Sequence, residues 1–474
     1  MNSNFLMSCQ YAAQALGAEL YPEGAEGGFS TVAVDSRKIK PGSLFIALNG
    51  LGSDGHSFIS DAFKAGAAAA MVTKEGMEKA GYNTLALGAL STEKKAVLLV
   101  VNDTLKGLQD LAAAYLDLFP RLLRIGITGS SGKTTTKEIA ASIIGREKNV
   151  VMNPGNLNSE TGLPLSAFGV QSGHEAGVFE VGMNRKGEIS ELAAVLKPTI
   201  ALITNIGPAH IGILGSMEAI AEEKKQIFSQ FTGSETALIP EDDPFRDYLA
   251  RDVKGKVVFY GQKNLEASGK LNAVIDRGLK GTEIIWEGIP AAFGLPGKHN
   301  VKNALAAAAL AHEAGIDAAS IREGFSGVRG LFGRSEVLEG KTTVIRDCYN
   351  SNPDSAAEAL AFCDSLDWPG RRIYIVGSML ELGDHEKEEH RKLGLILCRS
   401  KANLIFLYGK EMKSAALMLK EKQRDFFYSA NMEKLSIKLE KEIRPGDLVL
   451  LKGSRGCALE ALTGAVFLED SDVS

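Results

Sequence analysis

A chain of 474 residues exceeds what one hydrophobic core usually serves, so about three domains are expected. Hydrophobic residues at 45% and charged residues at 23% describe an ordinary globular protein with no apolar run long enough to span a bilayer, so membrane insertion is not expected. The formal net charge of -5 argues against a nucleic-acid partner.

Residues 1–102 read as a small α/β domain. Phe29–Val34 alternates like a strand, and Ser43–Leu48 is another, entered through Pro41-Gly42. Ser57–Ala70 has a helical pattern, Met71–Thr73 returns as a strand, and 96–101 is a further strand. A polar set lies at or near the strand ends: Asp35-Ser36-Arg37, Asn49-Gly50 and Asp54-Gly55-His56. Ser36 and Arg37 suit a diphosphate or a sugar, although ordinary turn chemistry accounts for the same residues. Asp103 or Thr104 can cap the next helix, which places the first boundary at Asn102–Asp103.

Residues 103–330 hold the strongest signal. A β-branched strand from Ile125 runs into Thr128-Gly129-Ser130-Ser131-Gly132-Lys133-Thr134-Thr135, and a helix pattern follows. Backbone N–H groups of such a loop wrap phosphates, Lys133 adds charge, and Thr134 offers a hydroxyl to Mg²⁺. The strict phosphate-loop pattern places glycine where Ile127 stands, so this loop departs from it. The turn-rich stretch Asn153–Pro164 offers Asn156, Asn158 and Thr161 as hydrogen-bonding groups, or is a long structural turn. Ala176–Glu180 is an apolar strand that ends on a carboxylate, where a phosphate-loop fold places a Mg²⁺ ligand. A second buried strand, Thr199–Asn205, leads to His210, a metal or phosphate group or a structural hydrogen-bonder.

The helix Ser216–Phe231 carries Lys224 in a charged run that reads as a solvated face. A neutral Lys224 amine could instead take up CO₂ as a carbamate. From Ala237 to Phe293, four short strands read as an antiparallel appendage to the main sheet. His299 and Asn303 share a face at the start of an Ala-rich helix; Asn303 suits a nucleobase edge or a polar helix start. Arg334 could reach a phosphate.

Residues 331–474 repeat strand, glycine turn and helix, the pattern of a doubly wound α/β domain without a GxGxxG fingerprint. Its strand ends are polar, and the tail from Glu469 reads as disordered. Five scattered cysteines lack metal-ligand spacing and suit reduced thiols, and no signal peptide is evident, so a cytoplasmic location is expected.

Taken together the chain resembles the ATP-dependent Mur ligases of peptidoglycan synthesis over nearly its whole length. The shared signals are Thr128–Thr134, Glu180, His210, His299-Asn-Val-Lys-Asn303, Arg334 and Asp347, and the family's loop also lacks the first glycine. Asp347–Pro353, Gly377–Gly383 and Val449–Arg455 are similar to the branch that joins D-alanyl-D-alanine to UDP-N-acetylmuramoyl-tripeptide. The resemblance implies a uridine-nucleotide domain over 1–102, a central ATP domain over 103–330 and a Rossmann-like C-terminal domain over 331–474. It implies a monomer acting on small molecules, with ATP and two Mg²⁺ ions, through an acyl phosphate.

The resemblance also assigns roles. Lys133 would stabilise the γ-phosphate within the ATP loop Thr128–Thr135. Thr134, Glu180, His210 and a carbamylated Lys224 would hold the metals. Asn303 would contact adenine, Arg334 a phosphate and Asp347 the ribose. Ser36, Arg37, Asn49 and His56 would meet the uridine substrate, and Asn156, Asn158 and Thr161 the muramyl peptide. Asn350, Asn352, Glu381, Lys452 and Ser454 would serve the acceptor side. A sister ligase, adding the third peptide residue or glutamate to folate, and a catalytically inactive nucleotide-binding regulator are the alternatives.

Overall fold

The computed structural model of the protein describes residues 5–50, 52–81, 97–328 and 330–469. Residue 96 of one expected strand and residues 470–474 of the expected disordered tail lie outside the described residues. Three open sheets run along the chain. The first has five strands in the order Glu19–Tyr21, Val97–Val100, Ala69–Val72, Ser43–Ile46, Thr31–Ala33. Only the outer Glu19–Tyr21 pairing is antiparallel. The third has six strands, with Leu448–Lys452 between Thr343–Asp347 and Arg372–Gly377 and parallel to both.

The central sheet has six parallel strands ordered Lys256–Tyr260, Thr236–Pro240, Ile200–Ile203, Leu123–Thr128, Ala176–Glu180, Val150–Met152. Its middle strands are buried along nearly their whole length, as expected where helices cover both faces. Leu123–Thr128 lies between strands that come later in the chain, so the strand order reverses beside it and a crevice opens at the carboxyl ends.

The expected appendage is smaller than the sequence suggested. Thr236–Pro240 and Lys256–Tyr260 extend the main parallel sheet; only Leu271–Asp276, Thr282–Trp286 and Ile289–Phe293 form an antiparallel sheet. Short apolar runs bounded by turns read alike in both settings, and only pairing partners separate them. The helix expected over Ser216–Phe231 is Met217–Lys225, followed by a 3₁₀ turn to Phe228.

The helix Thr104–Asp117 starts on Asp103, whose carboxylate accepts from the N–H groups of Leu105 and Lys106 at 2.8 and 2.9 Å. Such a cap contributes about 1 kcal/mol. The helix packs on the first domain and, on its other side, on helices Gly162–Ala167 and Glu188–Leu196 of the central one. One apolar core therefore runs from Met7 and Leu44 through Leu108 and Leu111 to Leu163 and Leu192. Among the described residues no helix is long and apolar enough to cross a membrane.

Candidate nucleotide and ligase site

The phosphate loop is built by two glycines whose conformations no side chain tolerates easily. Gly129 has φ 149 and Gly132 has φ 78; a Cβ on them would collide with Thr204 Oγ1 and Asn303 Oδ1 respectively. Gly132 leads into the helix Lys133–Ile144, whose N-terminus faces the loop. The loop is fastened from below by Asn205, which accepts from Ser131 N–H at 2.9 Å and Ser130 N–H at 3.2 Å. Ser130 Oγ bonds the Gly207 backbone, donating to its oxygen and accepting from its N–H at 2.8 Å each. Thr135 is buried in the first helical turn.

Two segments distant in sequence converge on Thr134. Its hydroxyl donates to Glu180 Oε2 at 2.6 Å and accepts from Arg334 Nη2 at 2.9 Å. The Arg334 guanidinium also stacks 4.1 Å over the Tyr349 ring, which fixes the plane of its fork. Glu180 Oε1 accepts from Asn158 Nδ2 at 2.6 Å. Lys133 donates to Gly129 O at 2.8 Å, and burial lowers its ammonium below the ordinary value, with Glu180 opposing and Arg334 adding to the effect. Lys224 is 1% exposed, not solvated as its charged neighbours suggested; burial first, then the Lys133 charge, lowers its ammonium well below the usual lysine range.

His210 occupies a left-handed position, φ 62, at the start of helix Ile211–Leu214. Its Nδ1 lies 3.1 Å from Glu381 Oε2 of the C-terminal domain, yet is buried without an aligned hydrogen-bond partner. The contact holds the Glu381 carboxyl below its ordinary value. A second contact crosses the same cleft: Asn352 Nδ2 donates to Ser131 Oγ at 2.9 Å while its Oδ1 caps helix Pro353–Ser365. Deeper in the C-terminal domain, buried Lys452 pairs with Asp347 at 2.8 Å and donates to Asn350 O at 2.9 Å. Ser454 Oγ donates to Ser351 O and accepts from Leu380 N–H at 3.0 Å.

A hydroxyl, a carboxylate and an imidazole nitrogen are a suitable donor set for a magnesium–nucleotide. Thr128 Oγ1 and His210 Nδ1 are buried polar atoms without partners beside the loop. Among the described residues no three His, Cys, Asp or Glu side chains form a metal cage. Magnesium bound through one or two carboxylates, water and substrate phosphates needs none.

Other expected residues fall differently. Asn303 lies against Gly132, and its Oδ1 accepts from Thr136 Oγ1 at 3.4 Å. His56 is 2% exposed and both ring nitrogens are engaged, Nδ1 with Asp54 at 2.6 Å and Nε2 with Thr73 N–H at 2.9 Å. It braces the loop under the first sheet and has no ring nitrogen left for substrate. Arg37 is exposed and pairs with Asp35; Ser36 and Asn49 share its polar edge, beyond the adjacent parallel strands Thr31–Ala33 and Ser43–Ile46. Asn156 is exposed, and Thr161 opens helix Gly162–Ala167. Asn153, Lys137, Asn205 and His390 carry structural weight that the sequence did not reveal, because a turn-forming Asn and a lysine in a helix have no distinguishing spacing.

Comparison with known proteins follows this geometry. Three family models match in succession: the Mur ligase family catalytic domain at residues 29–116, the Mur ligase middle domain at 127–311, and the Mur ligase glutamate ligase domain at 333–455. The chain is 43% identical, over 96% of its length and 97% of the relative's, to the UDP-N-acetylmuramoyl-tripeptide–D-alanyl-D-alanine ligase of Treponema pallidum. A crystal structure of MurF from Acinetobacter baumannii superposes with a TM-score of 0.83 at 28% identity, covering 96% of this chain and 97% of that one. MurF from Thermotoga maritima in complex with ADP superposes with a TM-score of 0.75 at 26% identity, covering 92% and 96%.

Proposed function

The chain belongs to the Mur ligase family, and from that premise we propose how its residues divide the work of the reaction. The enzyme is an ATP-dependent ligase that joins D-alanyl-D-alanine to UDP-N-acetylmuramoyl-tripeptide in peptidoglycan precursor synthesis. The observation that carries the division of labour is the convergence on Thr134 of Glu180 from the neighbouring strand and Arg334 from the domain junction.

The tripeptide carboxylate attacks the γ-phosphorus, an acyl phosphate and ADP form, and the dipeptide amine then displaces phosphate through a tetrahedral intermediate. Neither step needs a protein nucleophile; alignment and charge neutralisation do the work. Lys133 and Arg334 meet the charge that moves onto the transferred phosphoryl group. Loop N–H groups and the helix N-terminus hold the β-phosphate side, with Asn303 closing the loop's far end. Thr134, Glu180 and His210 would hold two Mg²⁺ ions, with Lys224 joining as a carbamate. Bound there, Mg²⁺ neutralises phosphate charge. Burial lowers the Lys224 ammonium well below the usual lysine range, which favours the neutral amine that a carbamate requires.

Asp347, with Lys452 behind it, faces the ribose. Asn350, Asn352, Glu381 and Ser454 line the acceptor side. Ser36, Arg37 and Asn49 take the uridine end, and Asn156, Asn158 and Thr161 the muramyl peptide. We place the domains at 1–102, 103–330 and 331–474, and the enzyme in the cytoplasm as a monomer.

A phosphate-release assay tests this reading. Turnover is expected only when ATP, UDP-N-acetylmuramoyl-tripeptide and D-alanyl-D-alanine are all present. Turnover with a UDP-dipeptide plus a third amino acid, or with folate and glutamate, would overturn it. A Lys224→Ala enzyme as active as wild type would remove the carbamate from the scheme.

A further inference from the structure

The strand that ends on Glu180 loses its neighbour just before the carboxylate is delivered. Val150–Met152 pairs with Ala176–Val178, and Met152 is its last partner. The chain then turns away into the Asn153–Pro164 stretch. Beyond that point the Asn153 side chain replaces the missing strand. Its Oδ1 accepts from Glu180 N–H at 2.9 Å, and its Nδ2 donates to Glu180 O at 3.0 Å and to Leu157 O at 2.8 Å. Asn153 is itself fully buried, and its own carbonyl accepts from Lys137 Nζ at 2.7 Å. Lys137 has no exposed surface; it stands on the phosphate-loop helix, one turn after Lys133 and Thr134, with Glu138 Oε1 3.2 Å away.

A fully buried ammonium is costly to place and is retained only where its partners are fixed. Here it ties the helix that carries Thr134 to the residue that clamps both backbone groups of Glu180. We propose that Lys137 and Asn153 are positioning residues that set the Glu180 carboxylate at 2.6 Å from Thr134 and from Asn158, and so determine the affinity of the metal–nucleotide site. The clamp fixes the peptide groups on both sides of Glu180, and the two short bonds to Oε1 and Oε2 then fix its rotamer. This rests on the reading of Glu180 as a metal–nucleotide ligand.

The test uses the full-length enzyme and Mn²⁺ as a spectroscopic probe. Mn²⁺ binding in the presence of ADP is measured by electron paramagnetic resonance for wild type, Lys137→Met and Asn153→Asp. Methionine fills the lysine slot without a donor. Aspartate keeps the acceptor for Glu180 N–H but cannot donate to Glu180 O. Both variants should bind Mn²⁺ about tenfold or more weakly, the usual effect of removing an outer support of a metal ligand. Their KM values for the UDP-tripeptide and D-alanyl-D-alanine should stay within about twofold of wild type. If Lys137→Met does not fold, as its melting curve would show, Asn153→Asp decides alone.

Unchanged Mn²⁺ affinity overturns the proposal. So does an equal weakening of every ligand, which would mark a merely structural role. Wild type that binds Mn²⁺ with ADP but never consumes D-alanyl-D-alanine would overturn the ligase reading and leave this positioning role intact.

Discussion

Arg334 brings a positive charge to the Thr134 hydroxyl and Lys133 another to the Gly129 carbonyl of the same loop, and each can be tested singly. Lys133→Met should lower kcat by about 10²–10³, the range seen when one pre-placed donor to a developing charge is removed. The melting temperature should stay close to wild type, because only the Gly129 carbonyl bond is lost. Arg334→Lys should also fail to restore function: lysine keeps the charge but gives up both the planar fork on Thr134 and the stack on Tyr349. A lysine variant with wild-type kcat/KM for ATP would refute that role. At this scale the sequence was informative where residue order encodes a local structure. Thr128–Thr135 could be read because strand, glycine turn, lysine and helix must occur in that order to bind phosphate. It was uninformative for His56, whose place beside Asp54 and Gly55 suits a ligand loop and a buried brace equally. It was silent on Asn205 and Asn153, since an Asn that clamps a backbone looks in sequence like an Asn that turns one.

The loop 377–383 shows how an element is held by residues far away in sequence. Three successive N–H groups are tied down: Ser378 to Tyr408 O, Met379 to His390 Nε2 at 3.1 Å, and Leu380 to Ser454 Oγ. Glu381 then takes φ 67 and reaches His210. His390 must be neutral, because Nε2 accepts while Nδ1–H donates to Glu386 O at 2.7 Å. Burial lowers its value, against the raising influence of Glu386 on its own helix, of Glu411 beside Ser378, and of Glu389. The folded chain thus binds fewer protons here than the unfolded one. This contribution is full above the unfolded value, near 6.5, and is lost as pH falls through and below it. Melting at pH 7.5 and 5.5 should show a smaller acid penalty for His390→Gln, which can still accept and donate, than for wild type. Equal penalties would discount the residue.

A second element-level prediction concerns Gly212, where an added Cβ would meet the Leu382 carbonyl carbon at 2.6 Å and collide with Gly383 N. Gly212→Ala should cost about 1–3 kcal/mol in docking of the C-terminal domain, read as lower kcat with ATP binding retained. Element types were legible from periodicity, but the membership of Thr236–Pro240 and Lys256–Tyr260 in the main sheet was not. That depends on which strand lies alongside, a fact held elsewhere in the chain.

Across the whole molecule, the C-terminal domain rests on the phosphate loop through Asn352, Arg334 and Glu381. These contacts use Ser131, Thr134 and His210, the groups that nucleotide and metal would engage. With the roles proposed above, nucleotide exchanges with these contacts, and the two bodies are expected to part and close again during turnover. Small-angle scattering should show a different radius of gyration with ADP and UDP-tripeptide together than with neither. Equal radii would count against closure. The three-part plan was visible in the sequence from the recurrence of strand, glycine turn and helix. The closeness of the first two parts was not, since helix Thr104–Asp117 shows one apolar stripe in sequence while its buried residues serve two neighbours.

That shared helix has a thermodynamic consequence. Because one apolar core continues from Met7 through Leu108 to Leu192, the first two sheets should melt as a single calorimetric unit. The C-terminal domain, with apolar clusters of its own, should melt as a second. A scan should therefore resolve two transitions rather than three, and saturating nucleotide should draw them together, because a ligand gripped by both units makes each one's unfolding depend on the other.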